Sequence, residues 1–220
     1  MSFHPLMAYD DRFHKSERKL FEEGAPFTFT PERRAALDDI ITKYPPEQKR
    51  SAVLAALYLV QEQLGYLTAN GMRHVAEILD LAPAEVEDVA TYYVMFFREP
   101  VGKYVLQVCR TLSCALLGAE RVTEALSEKL GIKVGETDPS GMFTLLEFEC
   151  LGACDRAPVV MVNNEHWHES VRPEDASRLV DDIKAGGEAA FSGCHLNVER
   201  RTELPPGPGS ADRRPSTLST

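Results

Sequence analysis

Four cysteines are the residues here whose type and spacing could do chemistry. Cys109 and Cys114 lie in VCRTLSC, and Cys150 and Cys154 lie in ECLGACDRAP, giving C-x4-C, 35 residues, then C-x3-C. Four thiolates at one place select zinc or an iron–sulfur cluster. Structural zinc sites favour two to four residues between paired cysteines, and both spacings sit at the wide end of that range. A [2Fe–2S] rhomb takes two ligands on each iron, which suits wider loops. Gly152, inside the second loop, has no Cβ to keep backbone N–H groups from sulfur, and Thr111 and Ser113 offer further donors in the first. Such donors raise a reduction potential, whereas the nearby acids Glu147, Glu149 and Asp155 should lower it. A thioredoxin-type dithiol uses C-x-x-C at a helix start, and neither pair has that spacing. A Rieske centre needs histidine ligands, yet none of the six histidines falls between Cys109 and Cys154. Spacing alone therefore ranks iron–sulfur first, zinc second, and a redox dithiol or unliganded set third.

The elements around these residues give the loops their position. KYVLQVC, ending at Cys109, and GMFTLLEFEC, ending at Cys150, are β-rich apolar runs expected to be strands. Neighbouring strands would bring the two post-strand loops to one sheet edge. Between them Ala115–Leu130 has helical spacing through Leu116, Val122, Leu126 and Leu130, and IKVG reads as a short strand. APVVMVNN and EHWHESV read as two more strands, and Pro173–Lys184 as a last helix with Ala176, Leu179, Val180 and Ile183 on one face. A β–α–β start followed by a hairpin and a helix is a thioredoxin-like arrangement, so residues 99–185 are expected to form an α/β thioredoxin-like domain.

Residues 30–98 read differently. Thr30 and Pro31 open a helix carrying Leu37, Ile40, Ile41 and Tyr44, and Pro45–Pro46 ends it. A second helix is expected from Pro46 to Leu64 with Gly65 as its stop, a third capped by Thr68, and a fourth from Pro83. Together they predict a small helical bundle. Residues 1–29 look like an arm without periodicity. Residues 186–220, rich in Gly, Pro, Ser and Arg, read as a disordered tail that cannot bury enough apolar surface to offset its ordering entropy.

Composition excludes several classes. The 220 residues carry 24 Lys plus Arg against 34 Asp plus Glu, a formal charge of −10, which disfavours nucleic acid and anionic lipid as main partners. No apolar run approaches the roughly 20 residues of a bilayer span, so no direct membrane insertion is expected. MSFHPLMAYDDRFHKSERK lacks the apolar core of a signal peptide, and five cysteines are an odd number for a disulfide framework, so the chain reads as cytoplasmic. There is no G-x-G-x-x-G after a strand and no P-loop, hence no recognisable site for NADH or flavin.

The segments SAVLAALYLVQEQLGYL, VEDVATYYVMFFREPVGKYVLQVCRTLSC and LGIKVGETDPSGMFTLLEFECLGACDRAPVVMVN, with the closing helix, resemble the [2Fe–2S] subunit of respiratory complex I. That family is the 24 kDa, or E, subunit of NADH-quinone oxidoreductase. The resemblance covers roughly residues 30–185; Tyr92 stands where the family often has Phe, and the tail has no counterpart. It implies that Cys109, Cys114, Cys150 and Cys154 ligate one [2Fe–2S] cluster, in a thioredoxin-like ferredoxin domain preceded by helices. It also implies a flavoprotein partner holding FMN and NADH, other complex I subunits, one-electron exchange between cluster and flavin during NADH oxidation and quinone reduction, and a peripheral place on the inner face of the cell membrane. Similar chains serve as diaphorase subunits of NAD-linked hydrogenases and formate dehydrogenases, which is the alternative; a zinc-stabilised interaction module and a dithiol oxidoreductase come after it.

Other features have plainer readings. Cys194, beside His195 in the tail, is a spare thiol. His166 and His168 flank Trp167 and share a strand face, expected to be an exposed strand end. TYYVMFF, residues 91–97, reads as core or subunit interface rather than a cofactor platform.

Overall fold

Thr30 caps the first helix with its hydroxyl, which accepts from the Arg33 N–H at 3.4 Å, and Pro31 fills the first helical position of α1, Pro31–Thr42. The computed structural model describes residues 22–191. The chain divides into two units, Met1–Val101 and Gly102–Thr220.

In the first unit, a 3-10 stretch, Pro46–Ala52, leads into α2, Val53–Leu64, which Gly65 closes at φ +86°. The single helix expected from Pro46 is thus broken. Pro45 keeps extended backbone, the Gln48 N–H turns back to the Pro45 carbonyl at 2.7 Å, and Gln48 itself leaves helical φ/ψ. Thr68 caps α3, Ala69–Leu79, by accepting from the Gly71 N–H at 3.1 Å. Glu85 reaches back to the Ala82 N–H at 2.9 Å to start α4, Pro83–Tyr92. Leu37, Leu57, Val60, Leu67, Val75, Leu79 and Val86 meet in the core of this unit.

The part of the expected arm that is described, residues 22–29, packs on these helices. Phe27 and Phe29 are buried with their rings 5.6 and 5.5 Å from that of His74, and Glu23 pairs with Arg73. An extended segment anchored by two aromatic side chains leaves no helical period for sequence to reveal. The 91–97 stretch divides: Gln61 holds it through the Met95 carbonyl at 3.0 Å and the Phe97 N–H at 2.7 Å, and Phe96 is buried. Tyr92 and Val94 are 79% and 59% exposed.

The second unit is a mixed four-stranded sheet in the order β2-β1-β3-β4. Its strands are β1 Tyr104–Cys109, β2 Phe143–Phe148, β3 Val160–Val162 and β4 His166–His168. β1 runs parallel to β2, with Tyr104 opposite Phe143 and Cys109 opposite Phe148; β1–β3 and β3–β4 are antiparallel. Between β1 and β2 lie α5, Leu112–Leu116, and α6, Ala119–Leu130; α7, Pro173–Gly186, follows β4. Leu106, Val108, Phe143, Leu145, Val160 and Val162 from the strands meet Val122, Leu126, Val180 and Ile183 from the helices.

Three sequence expectations shift. The helix expected over Ala115–Leu130 breaks at Gly118, whose φ of +96° ends one helix and opens the next. IKVG is no strand: Gly131 before it and its own last residue, Gly135, both have positive φ, and it turns so that the Gly135 N–H reaches the Leu145 carbonyl at 2.7 Å. Regular structure also continues past residue 185 among the described residues, through the end of α7 and a 3-10 turn, Gly187–Phe191, where Phe191 is only 3% exposed. Residues 192–220, with Cys194 and His195, lie outside the described residues, as do residues 1–21. No helix among the described residues is long and apolar enough to cross a membrane.

The β3–β4 turn is tied to β1 by amides. Asn163 and Asn164 both have positive φ, which asparagine tolerates, and the Glu165 N–H returns to the Val162 carbonyl at 3.1 Å. Gln107, 0% exposed in mid-β1, donates to Asn164 Oδ1 at 2.6 Å and accepts from the Asn164 N–H at 2.9 Å. Asn163 accepts the Val105 N–H at 2.7 Å. A Gln107→Leu variant keeps the volume and loses both of its bonds to Asn164, so urea unfolding should show a loss of about 2 kcal/mol. An unchanged midpoint would show that the turn is held without Gln107.

Candidate iron–sulfur site

The parallel β1–β2 pair ends with Cys109 opposite Phe148, so the loops bearing the four cysteines leave the sheet at one edge. Cys109 closes β1 and Cys114 lies in α5; both are buried. Cys150 follows β2 and Cys154 opens a short 3-10 turn, Cys154–Arg156; both are exposed. Salt bridging closes the gap between the loops, as Arg110 Nη2 meets Glu149 Oε1 at 2.6 Å, each residue standing next to a cysteine. Asp155 lies 3.9 Å from Arg156, so two of the acids that would lower a reduction potential are partly balanced.

The thiols pair two and two. Cys150 Sγ and Cys154 Sγ are 3.4 Å apart, and Cys109 hydrogen-bonds with Cys114. Among the described residues, no three His, Cys, Asp or Glu side chains are grouped as ligands of a single metal ion. Thr111 spans the two pairs: its hydroxyl is 3.2 Å from Cys109 Sγ and also hydrogen-bonds Cys150.

Backbone donors surround the sulfurs. The N–H groups of Thr111 and Leu151 face Cys109, that of Val159 faces Cys114, and that of Gly152 faces Cys150. Gly152 sits at φ +80° with open space where a Cβ would be, so its backbone conformation, and not crowding, calls for glycine. Trp167 donates its indole N–H to the Leu151 carbonyl at 3.0 Å, a contact that no spacing in the sequence announced.

These surroundings split each pair electrostatically. Burial pushes the Cys109 thiol up, but the Thr111 hydroxyl, the Thr111 and Leu151 N–H groups and Cys114 outweigh it and hold it below the ordinary value. Burial, then the hydrogen bond with Cys109, pushes Cys114 up to about 12. The Gly152 N–H, with Cys154 and Thr111, lowers Cys150, while bonding to Cys150 raises Cys154. Each pair therefore has one thiol disposed to ionise and one that keeps its proton until something displaces it.

Around Cys114 the surface is apolar: Leu112, Leu116 and Leu117 are 75%, 78% and 58% exposed. His166 and His168 differ from the expected exposed strand end. Both are half-buried; His166 stacks on Phe191 at 4.4 Å, and His168 meets the same ring edge-on at 6.1 Å.

A parallel β–α–β start, an antiparallel hairpin and two thiol pairs at one sheet edge define an α/β protein of the thioredoxin-like class, furnished with donors that suit a two-iron centre. The chain belongs to the thioredoxin-like [2Fe–2S] ferredoxin family, which matches residues 37–184. It is 42% identical over 159 residues to the E subunit of NADH-quinone oxidoreductase from Rickettsia bellii, spanning 72% of this chain and 95% of that one. It is 39% identical over 158 residues to NADH-quinone oxidoreductase subunit 2 of Thermus thermophilus, spanning 72% of this chain and 87% of the relative. Among solved structures, an NAD+-reducing [NiFe]-hydrogenase in the H2-reduced state shares the fold with a TM-score of 0.54 at 19% identity. That alignment covers 64% of this chain and 25% of the hydrogenase chain. The curated relatives are subunits of an oxidoreductase complex, and they support for this chain the role of an electron-transferring [2Fe–2S] subunit that works among other subunits.

Proposed function

We propose that Cys109, Cys114, Cys150 and Cys154 hold one [2Fe–2S] cluster, and that the chain stands in the NADH-oxidising part of a complex I beside a flavoprotein that carries FMN and NADH. The observation that carries this reading is the grouping of the sulfurs two and two, 3.4 Å apart in the Cys150–Cys154 pair, under backbone N–H donors. Two pairs match two irons with two protein ligands each.

When bound, the cluster supplies one-electron exchange with a neighbouring flavin. The chain's own residues do the rest. Cys109 and Cys150 present the readily ionised sulfurs, the N–H groups of Thr111, Leu151, Gly152 and Val159 stabilise negative charge on sulfur, and Arg110 with Glu149 holds the loops together. Leu112, Leu116 and Leu117 form the apolar surface on which the flavoprotein docks beside the site, with Tyr92 and Val94 of the 91–97 stretch as further contacts. In such a complex this chain sits peripherally, on the inner face of the cell membrane.

The test is expression of the full chain with and without its genomic neighbours. Two irons and two acid-labile sulfides per chain, with a red-brown colour, are expected, together with copurification of an FMN-containing protein. A colourless protein holding one zinc would falsify the cluster reading. Copurification with hydrogenase or formate dehydrogenase subunits would replace complex I by a diaphorase.

A further inference from the structure

The chain has a single tryptophan, Trp167, at the centre of the edge strand β4. Its indole N–H donates to the Leu151 carbonyl, 3.0 Å away, inside the second cysteine loop. That carbonyl and the Gly152 N–H belong to one planar peptide unit, so fixing the oxygen fixes the direction of the N–H on the opposite side. The Gly152 N–H faces Cys150 Sγ. The preceding peptide unit presents the Leu151 N–H to Cys109, so the two sides of Leu151 serve one sulfur from each pair.

This peptide needs an outside hold. Gly152 is at φ +80°, no atom lies within 4 Å of the position a Cβ would take, and glycine visits both signs of φ with little preference. Neither a Cβ nor a contact at the Cβ position of Gly152 restrains the Leu151–Gly152 unit. A donor on the carbonyl keeps that unit from flipping its N–H away from sulfur, and it also polarises the unit so that its N–H becomes the stronger donor.

We propose that Trp167 is a positioning residue for the two-iron centre: its indole N–H holds the Leu151–Gly152 peptide with the N–H on Cys150 and so raises the reduction potential of the cluster bound there. The inference rests on the reading of the four cysteines as cluster ligands. Hydrogen bonds to ligand sulfur favour the reduced, more negative cluster, so their loss favours the oxidised one.

The test uses the full chain with two substitutions that remove the donor. Trp167→Phe keeps an aromatic ring against Leu151. Because the chain has one tryptophan, biosynthetic incorporation of 3-benzothienylalanine alters that position alone, replacing the ring N–H with sulfur at nearly constant shape. In the cluster-free chain the Gly152 amide should exchange its proton about tenfold faster in either variant than in the parent. In the loaded chain, a redox titration followed by electron paramagnetic resonance should show the reduction equilibrium constant falling about threefold, or about 28 mV at 59 mV per decade. A purely structural role would lower the melting temperature and leave both readouts at the parent value, which overturns the inference. Should the parent chain take up no two-iron cluster, the ligand reading fails, and the Gly152 exchange rate still decides whether the clamp exists.

Discussion

Replacing Cys150 with Ala is expected to abolish the proposed two-iron centre and to leave the cluster-free fold as stable as before. Its side chain is exposed, so removing the sulfur opens no cavity and costs little packing. Yet Cys150 is one of four ligands in the proposed set, and it is the partner of Cys154 at 3.4 Å. It is also one of the two thiols held below the ordinary value, and hence ready to bind iron as thiolate. Loss of an outer-shell partner alone costs a metal site about tenfold to a hundredfold in affinity, so loss of a ligand should remove at least that much. Iron and sulfide analysis with the visible spectrum reads the outcome. Cys114→Ala should lose the cluster too, but with a fall in melting temperature, because Cys114 is buried in the core of its unit. Cys194→Ala, outside the described residues, should keep the cluster. A Cys150→Ala chain with parental iron and sulfide would show that Cys150 is not a ligand.

Acid should destabilise the second unit through one histidine. Burial, with the charge of His166 as a smaller cause, lowers His168 to about 4 from the ordinary 6.5. Between those values the unfolded chain holds a proton on this ring that the folded chain does not. Stability is therefore full above about 6.5 and is lost as the pH falls toward 4. At 1.36 kcal/mol per unit the loss reaches about 3 kcal/mol. A His168→Leu chain cannot bind that proton. Urea unfolding of the cluster-free chain at pH 7 and pH 4.5 should show a smaller drop for the variant by about 2–3 kcal/mol. Asp138 also titrates in acid: burial would raise its carboxyl, but the Phe143 N–H, the Ser140 hydroxyl and the Met142 N–H hold it low. That contribution is common to both chains and cancels in the comparison. Equal drops would place the acid sensitivity elsewhere.

The same ring packs against the last described residue of the chain. Phe191 is covered by Tyr104, His166 and His168, with centroids 5.9, 4.4 and 6.1 Å away. Composition drew the boundary at residue 186, because Gly, Pro, Ser and Arg dominate the residues beyond it. Over residues 187–191 one buried aromatic side chain outweighs that composition, and no window average registers one residue.

Much of the molecule was legible from local chemistry. Thr30–Pro31, Gly65 and Thr68 marked helix ends because capping and left-handed turns depend on residue type within a few positions. The strands ending at Cys109 and next to Cys150 were legible because apolar β-rich runs have few other uses. Where a local signal is ambiguous, the fold departs from it. Gly118 lies within a helical pattern that it interrupts, and IKVG has the residue types of a strand but is turned by Gly131 and by its own Gly135. His166 and His168 looked exposed because their cover, Phe191, lies more than 20 positions away in sequence.

Residue type and spacing by themselves determined that four thiols follow two strands, that iron–sulfur chemistry outranks zinc, and that no nucleotide-binding motif accompanies them. These are properties of the ligands and of short-range geometry, which a linear chain already carries. Only the tertiary structure decided that the sulfurs stand two and two, that Thr111 spans both pairs, and that a tryptophan from the opposite end of the sheet grips the peptide facing Cys150. Those facts depend on the parallel pairing of β1 with β2 and on the position of β4, whose contacts join residues far apart in sequence. The chain specifies the ligands locally, and the sheet decides what surrounds them.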